Sequence, residues 1–183
     1  MKIYLVRHGQ TDWNREGMKR MQCQSDNPLN EIGIKQAEQV GELLDKIDYD
    51  FIFSSPYIRA KRTAEIANRD RMPIIVDDRL KERYGGVVDG KPFTDFTSAD
   101  IDDFFNYNEN VEYEGAESMQ DFCKRVWDFL DDMKEKYKDK TVVFVAHNIL
   151  IRAVKAYFVG IPEDGNIRHY GIDNGELVEY TIA

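Results

Sequence analysis

Two histidines in this sequence each follow directly on an apolar run. His8 comes after Ile3–Val6 with Arg7 in between, and His147 comes after Thr141–Ala146. Ligands of open α/β sheets bind outside the carboxyl ends of the strands. Two strands of one sheet that end in this way would therefore bring both imidazoles into one crevice.

Arginines at the same crevice favour a phosphate ligand. Besides Arg7, the sequence places Arg59 one turn into a helix that is predicted to follow residues 54–56. Guanidinium groups bind phosphate oxygens through paired charged hydrogen bonds, and helix N-termini offer unpaired N–H groups. Gly9 lets the backbone approach closely. Because nearby cations lower the pKa of an imidazole, a neutral His8 with a free lone pair is a candidate nucleophile.

Each of these residues also has a purely structural interpretation. His8 or His147 could be a strand-end histidine that is satisfied by a carbonyl, and Arg59 could be a solvated charge on a helix. Glu82, in the segment LKER, resembles any loop carboxylate. No close pair among the histidines supports a metal site, and His169, in a polar loop, receives no role.

The elements that must position these residues alternate between strands and helices. Apolar runs predict strands over residues 3–6, 50–53, 74–76 and 141–146, and alternation predicts a half-exposed edge strand over 176–182. Helical spacing predicts helices from an Asn30 cap to Ile47, after Pro56, over residues 119–133 and over residues 149–158. This order predicts an α/β fold, a three-layer α/β/α sandwich with a mainly parallel central sheet. Residues 1–183 form one domain in this interpretation. Residues 84–115, which interrupt the alternation of strands and helices, form a lid insertion.

Composition narrows the class of protein. A chain of 183 residues with a net charge of -9 suits one soluble domain and argues against nucleic acid or anionic membranes as partners. No stretch approaches the length of a membrane span. Cys23 and Cys123 are far apart, which favours free thiols in a reducing compartment. A cytoplasmic protein is the expectation.

The stretch LVRHGQTDWN, residues 5–14, resembles the arginine–histidine–glycine signature of the histidine phosphatase superfamily, also called the phosphoglycerate mutase-like family. Five further segments resemble that family in the same order and carry the resemblance over nearly the whole chain. They are NPLNEIGIKQA, SSPYIRAKRTAEIA, RLKERYGG, EGAESMQDFCKRV and VVFVAHNILIRA.

The resemblance implies a metal-independent phosphomonoesterase without a cofactor, acting on a small phosphorylated metabolite. His8 would be the nucleophile that becomes phosphohistidine. Arg7, Arg59 and His147 would bind the equatorial phosphate oxygens and stabilise the transition state. Glu82 would protonate the departing alkoxide and then accept a proton from the attacking water.

Smaller roles in substrate binding follow for Gly9, Thr11, Asn14 and Asn148. Asn148 departs from the family, which usually has glycine after the second histidine. If the position needs a positive φ, asparagine is the least costly replacement. If it needs close backbone approach to phosphate, asparagine adds bulk and an additional hydrogen-bonding group. This departure leaves open a non-catalytic module that binds a phosphorylated ligand.

The lid favours a phosphatase over a cofactor-dependent phosphoglycerate mutase. Between Asp95 and Glu114 the sequence has seven carboxylates and no Lys or Arg, with aromatic residues among them. Mutases carry a longer, basic insertion here. An acidic lid is expected to repel a doubly anionic substrate. The C-terminal edge strand would also permit a homodimer.

Overall fold

A five-stranded sheet lies at the centre of the computed structural model, which describes residues 1–182. Neighbouring strands follow the order β3-β2-β4-β1-β5. The first four strands are parallel, and β5 runs antiparallel to β1 at one edge. The predicted mainly parallel sheet and its edge strand are confirmed. The strands are β1 (Lys2–Arg7), β2 (Phe51–Ser54), β3 (Ile74–Val76), β4 (Thr141–Ala146) and β5 (Leu177–Thr181).

Helices cover both faces of the sheet. Alternate residues of β1 point to opposite faces: Leu5 packs in a cluster with Phe122 and Val126, whereas Val6 packs in a second cluster with Val40. The three-layer α/β/α sandwich is therefore confirmed. The helices are α1 (Glu31–Leu44), α2 (Ile58–Asn68), α3 (Ser98–Phe104), α4 (Met119–Lys136) and α5 (Asn148–Val159).

Side-chain caps define two of the helix starts. The Asn30 Oδ1 accepts a hydrogen bond from the Gly33 N–H at 2.9 Å, and the Ser118 Oγ accepts one from the Asp121 N–H at 3.0 Å. Some predicted boundaries shift by up to three residues. The helix α1 ends at Leu44 rather than Ile47, α4 continues to Lys136, and α2 begins only at Ile58, so that Pro56 lies outside it.

The lid, residues 84–115, contains two short 3-10 turns followed by α3. Phe104 and Phe105 are buried against the main core, and Phe93, Phe96 and other lid aromatics pack around them. Apolar packing of these rings thus holds the lid against the core of the domain.

No helix within residues 1–182 combines the length and the apolar character that a membrane crossing requires. Cys23 and Cys123 are both buried free thiols.

Candidate active site

The carboxyl ends of β1 and β4 lie at a cavity of about 570 Å³. Five of the residues that the sequence predicted for the site line this cavity: Arg7, His8, Asn14, Glu82 and Asn148. These residues are far apart in the chain. They meet because parallel strands present their carboxyl ends at the same edge of the sheet.

His8 is buried in the cavity wall and held in one tautomer. Its Nδ1 lies 2.8 Å from the carbonyl oxygen of Gly9. Because a carbonyl only accepts, Nδ1 carries the hydrogen and Nε2 keeps its lone pair. Burial, followed by the charges of Arg59 and Arg7, lowers the pKa of His8 well below its usual value. His8 therefore has the neutral form that a nucleophile requires.

His147 ends β4 and precedes α5, and its ring centroid lies 5.2 Å from that of His8. Its Nε2 is 2.7 Å from the Ser55 Oγ, and its Nδ1 is buried with no hydrogen-bond partner in the described residues. Burial and the charge of Arg59 lower the pKa of His147 well below its usual value. The ring is fully buried and packs beneath His8 rather than in the cavity wall.

Arg59, near the start of α2, is also fully buried and does not line the cavity. Its guanidinium donates to the carbonyl oxygens of Ser25 and Cys23 at 2.8 and 2.9 Å. The nearest carboxylate oxygen, on Asp26, is 3.7 Å away. Arg59 thus places positive charge below the two histidines.

Arg7 lies in the cavity wall. Its Nη1 donates to the Ile172 carbonyl oxygen at 2.6 Å, and its Nε has no hydrogen-bond partner in the described residues. No carboxylate of residues 1–182 forms an ion pair with it. Burial lowers the pKa of Arg7 to about 10, which still leaves it charged at neutral pH.

Glu82 is buried at the N-terminus of α5. One carboxylate oxygen accepts from the Ile149 N–H at 2.9 Å, and the other accepts from the N–H groups of Leu150 and Arg83, both at 3.1 Å. His147, the residue at the cap position of α5, makes no side-chain cap, so Glu82 supplies it. Burial raises the pKa of Glu82 although these N–H groups and Arg59 act against it. Glu82 therefore binds a proton more readily than an exposed carboxylate does.

Gly9 and Thr11 lie outside the cavity wall. A Cβ at Gly9 would lie 2.3 Å from the carbonyl oxygen of Gly33, so helix packing requires this glycine. The buried Thr11 donates from its Oγ1 to the Asn14 Oδ1 at 3.1 Å. The geometry gives these two residues structural roles, and their expected contact with substrate stays a prediction.

Asn148 is the first residue of α5 and is not among the residues with positive φ. The absence of glycine therefore costs no backbone strain. Its Oδ1 lies 3.4 Å from the Ile172 N–H, and its side chain lines the cavity. Of the two alternatives for this position, added side-chain bulk with a weak hydrogen bond is the one that the structure supports.

The sequence analysis missed four further cations of the cavity wall: Lys19, Arg20, Arg152 and Arg168. A signal existed for Arg152, because it follows Asn148 by four residues on α5 and so shares its face. Lys19, Arg20 and Arg168 lie in loops or 3-10 turns, where no periodicity indicates which way a side chain points.

The lid carboxylates do not face the cavity. None of the seven between Asp95 and Glu114 lines it, and from this part of the lid only the Phe105 side chain does. One of the seven, Asp102, forms an ion pair with Arg168 at 2.9 Å. Because none of these carboxylates lines the cavity, the expected repulsion of a doubly anionic substrate rests on no direct contact and stays a prediction.

Known proteins resemble this chain over most of its length. It is 37% identical to the phosphatase PhoE of Bacillus subtilis over 153 residues, which cover 83% of the chain and 74% of PhoE. It is 33% identical to phosphoserine phosphatase 1 of Hydrogenobacter thermophilus, and the match covers 95% of this chain and 83% of that protein. It is 35% identical to the probable phosphoglycerate mutase GpmB of Salmonella choleraesuis, covering 88% and 76%.

Solved structures also resemble this chain. YhfR of Bacillus stearothermophilus superposes with a TM-score of 0.88 at 26% identity, covering 100% of this chain and 91% of that one. A mycobacterial glucosyl-3-phosphoglycerate phosphatase, solved with VO3, has a TM-score of 0.84 at 30% identity, covering 97% and 91%. The sequence profile of the histidine phosphatase superfamily (branch 1) matches residues 3–183. The chain belongs to the histidine phosphatase superfamily.

Proposed function

We propose that this protein is a metal-independent phosphomonoesterase that hydrolyses a small phosphorylated metabolite through a phosphohistidine. One observation carries the proposal. The neutral His8 ring, with Nδ1 bonded to the Gly9 carbonyl, keeps its Nε2 lone pair in a cavity that also holds Arg7 and the carboxyl of Glu82. A nucleophile, a phosphate-binding cation and an acid are the groups that this reaction requires.

In the first step, the Nε2 lone pair of His8 attacks the phosphorus atom and the bond from phosphorus to the ester oxygen breaks. The ester oxygen leaves with the bonding electrons and takes the proton of the Glu82 carboxyl. An alkoxide is a poor leaving group, so this proton raises the rate by a factor of about 100 to 10,000.

In the second step, water attacks the phosphorus atom and the P–N bond breaks. Glu82, now a carboxylate, takes the proton from that water. Inorganic phosphate leaves, His8 regains its lone pair and Glu82 is again protonated, so the cycle closes.

Positive charge stabilises the phosphoryl group during both steps. Arg7 binds the equatorial oxygens from the cavity wall, and Arg59 adds its positive charge from the buried side. His147, which is uncharged, contributes a ring N–H donor rather than charge. Burial and then the charges of Arg59 and Arg7 lower the pKa of His8 and so keep it neutral between turnovers. Asn14 and Asn148 contribute polar contacts from the wall.

The first prediction concerns the nucleophile. His8→Ala should lower the hydrolysis of p-nitrophenyl phosphate by at least about 1,000-fold and abolish acid-labile labelling of the protein by a radioactive phosphoryl donor. The matched control is His169→Ala, which removes an exposed histidine that lines only a smaller adjoining pocket and not this cavity, and it should keep both signals. Near-normal turnover in His8→Ala would refute the mechanism.

A phosphoglycerate mutase is the second candidate function. Two observations favour it: the relative GpmB is described as a probable mutase, and the cavity wall is cationic while the lid carboxylates point away. A coupled assay with 2,3-bisphosphoglycerate separates the candidates. Mutase turnover that exceeds hydrolysis of every phosphomonoester tested would overturn the phosphatase proposal.

A further inference from the structure

One cation of the cavity wall, Arg152, has no role in the proposed reaction. It extends from α5 one turn beyond Asn148, and its side chain is half-buried. No carboxylate of the described residues lies within 4.0 Å of it. A half-buried charge without a partner is costly, so a protein that keeps one at its substrate cavity gains something by it.

The Arg152 guanidinium is held in place by uncharged groups. Its centre lies 5.0 Å from the Phe105 ring centroid, and its Nη1 is 3.5 Å from the Ile167 carbonyl oxygen. Its Nε is buried with no hydrogen-bond partner in the described residues. Stacking on an aromatic ring fixes the plane of the guanidinium and leaves donors free for a ligand.

The surroundings of Arg152 are also electropositive. Burial lowers its pKa to about 10, and the charges of Arg7 and Arg168 act in the same direction, against Glu82. Of the three arginines, only Arg168 has a carboxylate partner within the described residues, Asp102, at 2.9 Å. A negative group between Arg152 and Arg7 would relieve this repulsion.

A side chamber of about 300 Å³ adjoins the main cavity at this point. Arg7, Asn148, Arg152, Arg168 and Asp173 line both spaces. Because Arg7 lines both spaces and binds the phosphoryl group in the proposed reaction, a group in the side chamber lies close to that phosphoryl group. Asp173 and Glu176 also line the side chamber, so its net positive charge is small and suits a single negative charge better than a second phosphate.

We infer that Arg152 is a specificity-determining residue that binds a carboxylate of the substrate. The inference rests on the proposed function and narrows it: the substrate class is a small phosphorylated carboxylic acid, with its carboxylate within a few bonds of the phosphate ester. A guanidinium binds a carboxylate through two parallel N–H···O bonds, which gives direction as well as affinity.

Two matched substrates test this inference. 3-Phosphoglycerate and glycerol 3-phosphate have the same three-carbon skeleton, and the first has a carboxylate where the second has a hydroxymethyl group. The measured quantity is the ratio of their kcat/KM values. We expect wild-type protein to favour 3-phosphoglycerate by at least about tenfold, as hydrogen bonds to charged groups typically supply.

Arg152→Met keeps the aliphatic stem and removes the charge. It should therefore lower this ratio by about 10- to 100-fold, mainly because KM rises for the substrate that carries the carboxylate. Arg152→Lys should recover part of the loss because it keeps charge but not the paired geometry. The control is Lys155→Met, a cation on the same helix that lines neither cavity, and it should leave the ratio unchanged. An unchanged ratio in both Arg152 variants would overturn the inference.

A binding measurement separates failure of this inference from failure of the proposed function. In calorimetric titrations of His8→Ala, which does not turn over, 3-phosphoglycerate should bind at least about tenfold more tightly than glycerol 3-phosphate. Adding Arg152→Met should remove the difference. If wild-type protein hydrolyses no phosphomonoester, the proposed function fails while this difference still supports the carboxylate site. Equal binding of the two compounds to His8→Ala overturns the site.

Discussion

At the scale of single residues, Glu82 combines two roles that usually belong to different side chains. It caps α5 by accepting from the Ile149 and Leu150 N–H groups, and it places a carboxyl in the cavity wall. Burial raises its pKa, while those same N–H groups favour the ionised form. The balance suits a group that must give up a proton and take one back in each cycle.

A second prediction follows for Glu82→Gln. The amide cannot donate a proton to a leaving alkoxide, so hydrolysis of an alkyl phosphate such as glycerol 3-phosphate should fall by about 100- to 10,000-fold. Hydrolysis of p-nitrophenyl phosphate should fall much less, because its leaving group needs no proton. Steady-state kinetics on both substrates measures the contrast, and equal losses would remove Glu82 from the acid role.

The control for this variant is Glu114→Gln in the lid. Glu114 is exposed and does not line the cavity, so both activities should stay at the wild-type level. A large loss in Glu114→Gln would mean that lid carboxylates reach the substrate.

At the scale of elements, the contact between the segment after β1 and α1 sets the position of the nucleophile. A Cβ at Gly33 would lie 2.1 Å from the Gln10 carbonyl oxygen, and a Cβ at Gly9 would lie 2.3 Å from the Gly33 carbonyl oxygen. Both glycines are buried. Their missing side chains let α1 support the backbone that carries His8.

The third prediction is that Gly33→Ala destabilises the protein. Helix propensity alone favours alanine by about 1 kcal/mol. The clash with backbone atoms should reverse the sign and lower the free energy of unfolding by about 1–3 kcal/mol, with loss of activity. Urea unfolding measures the change. Gln39→Ala, an exposed position on the same helix, is the control and should stay within about 0.5 kcal/mol of wild type.

At the scale of the whole molecule, the cavity wall is rich in cations although the chain as a whole is negatively charged. The chain has a net charge of -9, yet Arg7, Lys19, Arg20, Arg152 and Arg168 line the substrate cavity. Net charge therefore describes the outer surface and says little about the site. The buried histidines at and beneath the cavity wall stay neutral because burial and the nearby arginines resist their protonation.

The fourth prediction links this burial to pH. The folded pKa of His147 is well below its unfolded value of about 6.5, so its contribution to stability is present above that pH and is lost as the pH falls below it. Each such histidine lowers the free energy of unfolding by up to about 1.4 kcal/mol per pH unit in this window.

His147→Gln should therefore show a shallower dependence than wild type when urea unfolding is compared at pH 7.5, 6.5 and 5.5. Glu82, whose raised pKa acts in the opposite direction as the pH falls, is present in both proteins and cancels in the comparison. Parallel pH dependences of the two proteins would show that His147 does not resist protonation in the fold.

The sequence by itself determined the family, the layer order and the positions of Arg7, His8 and His147 at the carboxyl ends of parallel strands. These features follow from local patterns: apolar runs define strands, helical spacing defines the covering helices, and the rule for open α/β sheets then names the edge where the ligand binds. Asn14, Glu82 and Asn148, which the family segments indicated, also line the cavity, and their roles there stay predictions.

Only the tertiary structure decided which way the remaining side chains point. It turned the lid carboxylates outward and brought Arg152 and Arg168 to the cavity. It also joined Glu82 to the N-terminus of α5, across 67 residues of sequence. Such directions depend on contacts between distant segments, and periodicity within one segment carries no information about them. For the same reason the sequence named the residues of the proposed phosphoryl transfer but not Arg152, which we infer to select the rest of the substrate.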